Sequence, residues 1–127
     1  MRTNMNTLLN ILAAGLLAAL PAARAGEDPA PQHAPGAPLK VIATVPAYAA
    51  LASEIGGPLV EVTTICRPTQ DVHAVTATPS LVERVRDADL LLWTGLDVEL
   101  WLDPMLRASG NLALLPGNPR AVSMSDG

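Results

Sequence analysis

Few residues in this chain could do chemistry. His33 and His73 are its two histidines, and Cys66 is its one cysteine. His73 lies in "TQDVHAVTATPS", Thr69 to Ser80, between a strand-like run and a helix-like run. A neutral imidazole there can bind zinc, manganese or iron. Asp71, just before it, can orient the ring or shape the turn. Spacing alone does not complete a site, because the chain has no H-x-x-x-H and no C-x-x-C. Only neutral imidazole coordinates, so binding through His73 weakens in acid. His33 sits in a Pro/Ala-rich stretch, where ordering a tether on ligation costs entropy, and is the weaker candidate.

Cys66 ends "VEVTTIC" and reads as a small apolar packing residue, with a soft metal ligand near His73 as the alternative. A single thiol cannot close an intramolecular disulfide. Glu99 and Asp103 stand four apart, on one face if helical, which suits a solvated helix start better than a catalytic pair. With no G-x-S-x-G, G-x-G-x-x-G or Walker loop, no enzyme activity is expected. Trp93 and Trp101 read as core or lobe-face packing rather than a stacking platform.

The elements that must position these residues follow from apolar patterning. "LKVIATV", Leu39 to Val45, is a nearly continuous apolar run, as in a strand buried on both faces of a parallel sheet, and Pro46 ends it. In "AYAALASEIGG", Tyr48, Leu51, Ala52 and Ile55 mark one helical face, and Gly56 is placed to cap the end. "LVEVTTIC" is a second strand. "SLVERVRDA" carries an S-x-x-E capping box from Ser80 to Glu83 and buries Leu81, Val82 and Val85. "DLLLWTG" is a third strand, Asp103-Pro104 supplies a cap and first turn for "MLRASG", and "RAVSMSDG" is a fourth strand.

This alternation predicts an α/β fold, a single lobe with a parallel β-sheet of about four strands flanked by helices. The last strand, without a covering helix, leaves an edge that needs protection, and the chain looks cut short at Gly127. Ligands gather at the carboxyl ends of strands in such sheets, and the His73 loop leaves the second strand there.

The amino terminus sets the compartment. Arg2, an apolar stretch from Leu8 to Leu20 broken by Asn10 and Gly15, and Ala23-Arg24-Ala25 form a signal-peptide layout over residues 1–25. No Cys follows the expected cleavage, so lipid anchoring lacks its acceptor. Residues 26–38, "GEDPAPQHAPGAP", read as a flexible leader, and residues 39–127 as the α/β lobe. The net charge is −4, and loss of Arg2 and Arg24 with the signal takes it to −6, which disfavours nucleic acid and permits cations.

The segments "KVIATVPAYAALASEIGG", "VEVTTICRPTQDVHAVTATPS", "ADLLLWTGLDVELWLDPML" and "PGNPRAVSMSDG" together resemble the periplasmic solute-binding proteins of metal-ion ABC importers, from about Lys40 to Gly127. The most specific part is Pro-x-Gln-Asp-x-His at Pro68 to His73, followed by Thr78-Pro79-Ser80; Ala88-Asp89 before the third strand and Gly95-Leu96 after it also match. The resemblance implies an amino-terminal lobe of a two-lobe receptor, with His73 as first metal ligand and the remaining ligands from segments absent here. It also implies zinc or manganese as transported ligand, zinc slightly favoured, no organic cofactor, and an ABC importer membrane permease as partner of a monomer. Val72 stands where proline is usual, which changes loop stiffness, and Ala74-Val75 replaces a frequent aromatic, which loosens the wall of the site. The alternatives are an exported adhesion or binding module without metal transport, and an inactive truncated fragment.

Overall fold

The computed structural model describes residues 36–126. The expected signal peptide (residues 1–25), His33 and most of the expected leader (residues 26–38) lie outside the described residues. Four strands form one parallel sheet: β1 (Leu39–Ala43), β2 (Val60–Thr64), β3 (Leu90–Trp93) and β4 (Ala121–Ser123), in the order β2-β1-β3-β4. Register aligns Val41 with Val62 on one side and with Leu90 on the other, and Leu92 with Val122. Three helices complete the lobe: α1 (Pro46–Gly56), α2 (Pro79–Arg86) and α3 (Leu102–Ser109), with short 3-10 turns at Gly57–Leu59 and Leu112–Leu114. The predicted fold class holds. Among the described residues no helix is long and apolar enough to cross a membrane.

The core lies between the sheet and the α2–α3 pair. Ile42 and Leu91 from the strands meet Leu81 and Val85 of α2, and Leu102, Met105 and Leu106 of α3. Val41 and Ala43, also buried, alternate with Ile42 and so face the other side, which α1 covers. Asp89 accepts from the Lys40 amide at 2.8 Å and returns its own amide to the Lys40 carbonyl at 2.8 Å. An Ala-Asp pair therefore suits the start of β3: Ala88 is buried, and Asp89 ties β3 to β1.

Four local expectations are corrected. The helix starting at Pro79 is capped by Thr78, whose hydroxyl accepts from the Leu81 amide, so Ser80 falls inside the first turn and forms no capping box. Pro79 suits that first position because it has no N–H to leave unpaired. Helix α1 ends on Gly57, at φ 50°, rather than on Gly56. Gly56 is instead the last helical residue, and a Cβ there would collide with the Val60 side chain.

The apolar stripe of α1 only partly faces the sheet: Tyr48 and Ala52 are half-buried, while Leu51 is 48% and Ile55 78% exposed. The helix turns Ala49, Ala52 and Gly56 toward the sheet, and these small residues allow a close approach. Finally, α3 begins at Leu102 after Trp101, so Asp103 is not its cap. Asp103 instead accepts from Arg107 one turn later, at 2.8 and 3.3 Å.

Asn111 closes the far end of the α2–α3 pair. Its amide nitrogen donates to the carbonyls of Val85, Arg86 and Ala88 at 3.2, 3.0 and 2.8 Å, caring for the last turn of α2. Asn111→Leu should lower unfolding free energy by about 1–3 kcal/mol, read as a shift in urea midpoint at unchanged slope.

Candidate metal centre

The strand order reverses about β1: β2 lies on one side of it and β3 on the other. In open parallel sheets such a reversal opens a crevice at the carboxyl ends of the two diverging strands. Thr44 follows β1 there, and Thr94 and Gly95 follow β3. Glu99 occupies this crevice, 4% exposed. Its Oε1 accepts from the Thr44 hydroxyl at 2.7 Å and the Thr94 amide at 2.9 Å, and its Oε2 accepts from the Gly95 amide at 3.3 Å. The expectation of a solvated helix start is therefore wrong for Glu99, which precedes α3 and bolts two strand ends together. Tyr48 adds a further tie, donating from Oη to Thr94 Oγ1 at 3.2 Å.

Reaching Glu99 from Gly95 requires an unusual turn. Gly95, Leu96 and Asp97 have φ of 87°, 54° and 60°. Glycine and aspartate tolerate the left-handed region, whereas leucine takes it at a cost. The buried Glu99 bonds hold the turn in place. A Cβ on Gly95 would also press on the hydroxyls of Ser125 and Ser123 at 2.5 and 2.7 Å.

The loop carrying His73 leaves β2 at this same edge. Ile65 and Cys66 dive inward, and their amides donate to Ala43 and Thr44 carbonyls at 2.8 and 2.9 Å. The chain then emerges and folds on itself: the Arg67 amide donates to Gln70 Oε1 at 3.3 Å, and the Gln70 amide returns to the Arg67 carbonyl at 3.0 Å. Asp71 Oδ1 accepts from the His73 amide at 2.9 Å. Of the two roles open to it, Asp71 therefore shapes the turn and does not hold the ring. The His73 side chain is exposed, and among the described residues its ring has no hydrogen-bond partner. Val75 anchors the far side of the loop by packing on the core.

The loop's other anchor is Trp101, whose Nε1 donates to the Val72 carbonyl at 2.6 Å. Both tryptophans pack against the core, as read from the sequence. The indole N–H contact was not legible there, nor was the role of Glu99. The signal for Glu99 was a carboxylate flanked directly by Val98 and Leu100 and followed by Trp101 and Leu102.

Cys66 is 1% exposed, which fits the packing role. Burial, then the nearby Glu99 and Asp71 carboxyls, pushes its thiol above the ordinary range. Folding thus binds the thiol proton more tightly than the unfolded chain does. That contribution is fully present below ~8.5 and is lost as pH rises through the higher folded value. Cys66→Ser should flatten the alkaline arm of a stability-versus-pH curve, and native Cys66 should resist a thiol reagent that labels it at once in denaturant.

No group of three or more His, Cys, Asp or Glu donors comes together among the described residues. His73 thus offers one imidazole. A hollow of about 440 Å³ lies under the loop, lined by Arg67, Gln70, Val75 and Thr76 among others. A larger one, about 580 Å³, lies away from the loop beside Lys40, Glu61, Glu83 and Arg84; its mixed charges select no ion, and we place no chemistry there.

The sequence pattern of the family described as zinc-uptake complex component A, periplasmic (ZnuA), matches residues 41–125. The iron-binding protein YfeA of Yersinia pestis is 31% identical over 64 residues, 50% of this chain and 21% of that protein. Among solved structures, a manganese-bound periplasmic metal-binding protein from Candidatus Liberibacter asiaticus matches with TM-score 0.55 and 21% identity, over 70% of this chain and 31% of its own. A zinc-bound ZnuA deletion mutant matches with TM-score 0.54 and 24% identity, over 58% and 29%. The chain thus spans about a fifth of the curated relative and about three tenths of each solved structure. Since the match runs from β1 past β4 and takes in the His73 loop, the chain belongs to the periplasmic zinc-uptake component A family.

Proposed function

We propose that this chain is the amino-terminal lobe of an exported solute-binding protein that captures a divalent transition metal through His73 for delivery to the permease of an ABC importer. The observation that carries this reading is the exposed His73 ring, presented on a loop braced at both ends, on the carboxyl edge of a parallel sheet. Family membership supports it, as do relatives whose names specify iron, manganese and zinc. Zinc is favoured over manganese because imidazole suits it. In this reading residues 1–25 act as the export signal, residues 26–38 form a leader, and the mature chain works in the periplasm as a monomer. The lobe binds and does not catalyse.

One imidazole supplies only part of the free energy of a four-ligand zinc site, so this chain binds zinc weakly. In calorimetric titrations with zinc, His73→Ala should reduce affinity at least tenfold, about 1.4 kcal/mol. Equal affinity in the two proteins would sink the assignment of His73.

A further inference from the structure

The peptide unit joining Val72 to His73 is gripped at both ends. Its carbonyl accepts from Trp101 Nε1 at 2.6 Å, and its N–H donates to Asp71 Oδ1 at 2.9 Å. A peptide unit is planar, so holding both ends fixes the orientation of the plane and hence the direction in which the His73 side chain leaves the loop. Val72 has no ring to fix its own backbone, so this orientation depends on the two bonds.

The two grips differ in reach. Asp71, Gln70 and Ala74 make contacts local to the loop, whereas the Trp101 bond spans 29 positions of sequence. Trp101 is itself well held. Its ring packs on the core, it leads directly into α3, and it lies two residues beyond Glu99, which is bonded to the ends of β1 and β3. The turn from Glu99 to Trp101 is thus a bracket between the sheet and the His73 loop.

We infer that Trp101 is a positioning residue for metal capture, holding the Val72–His73 peptide so that the imidazole is presented in one fixed pose. This rests on His73 being the metal ligand. Without the indole N–H, the loop must be ordered when metal binds, and that entropy is subtracted from affinity.

Trp101→Phe keeps an aromatic ring and removes the donor. In the purified chain, zinc affinity should fall about 3–10-fold with His73 present and should not change in a His73→Ala background. Amide hydrogen exchange in the metal-free chain should quicken at His73 and Ala74 and stay unchanged at Thr94 and Gly95, which Glu99 holds. Should Trp101→Phe not fold, Asp71→Ala releases the other end of the same peptide, and the same paired measurements apply.

Unchanged zinc affinity, or an equal loss in both backgrounds, overturns the inference, the latter because Trp101 then acts elsewhere. Zinc binding that ignores His73→Ala overturns the metal-ligand reading and with it the capture role. Exchange at His73 then still decides, without metal, whether Trp101 orients the loop.

Discussion

Glu99→Ala should strip the chain of a large share of its stability at room temperature. The substitution strips the acceptor from the Thr44 hydroxyl and from the Thr94 and Gly95 amides, in a crevice where Glu99 is 4% exposed and Thr44 fully buried. Each orphaned buried donor costs about 1–3 kcal/mol, and the hole left by the side chain adds to that. The left-handed run at Leu96 and Asp97 also loses the bonds that hold it. The three donors alone sum to about 3–9 kcal/mol, a large share of the roughly 5–13 kcal/mol that a lobe of this size holds. Glu99→Gln retains one oxygen and should cost less, about 1–3 kcal/mol. Urea unfolding followed by tryptophan emission orders the three proteins. An alanine variant with the native midpoint would show that the crevice bonds contribute little.

Leu106→Ala should cost about 2–5 kcal/mol. Leu106 is fully buried on α3 and joins Leu81 and Val85 of α2 in the core. Removing three carbons from the seam between helix pair and sheet leaves a cavity that the surrounding side chains only partly fill. The loss should appear as a lower urea midpoint with the same slope, since the surface exposed on unfolding barely changes. As α3 follows directly from Trp101, the variant should also quicken amide exchange at His73, a coupling that surface substitutions on α1 should lack.

The fold was legible because strands buried on both faces have a simple signature. Runs such as "VIAT" and "LLLW" need little context, and their alternation with helical patterns dictates a parallel sheet. What failed was the choice of face on α1. Hydrophobic periodicity finds the stripe of Tyr48, Leu51, Ala52 and Ile55, but the helix is rotated toward its small residues, so that half-buried Ala49, Ala52 and Gly56 let it approach β2 closely. Leu51 and Ile55 are left outward. Helix starts were misplaced for a related reason. Thr78 and Ser80 are chemically equivalent as caps, and only the geometry of the turn decides between them.

His73 was placed on the carboxyl edge by strand order alone, while its supports were not visible in sequence. The Thr44–Glu99 bond spans 55 positions and the Trp101–Val72 bond 29, and neither has a local pattern. Val72 is expected to change loop stiffness, and Ala74-Val75 to loosen the wall of the site. At these positions the structure places two ties, the indole donor on the Val72 carbonyl and the packing of Val75 against the core.

The most direct measurement is the nitrogen NMR spectrum of the imidazoles during zinc addition. The chain has two histidines, so two ring systems report separately. One His73 ring nitrogen should move to the position of a metal-bound imidazole while the His33 ring stays where it was. A shift confined to His33, or no shift in either ring at saturating zinc, would contradict His73 as the metal ligand.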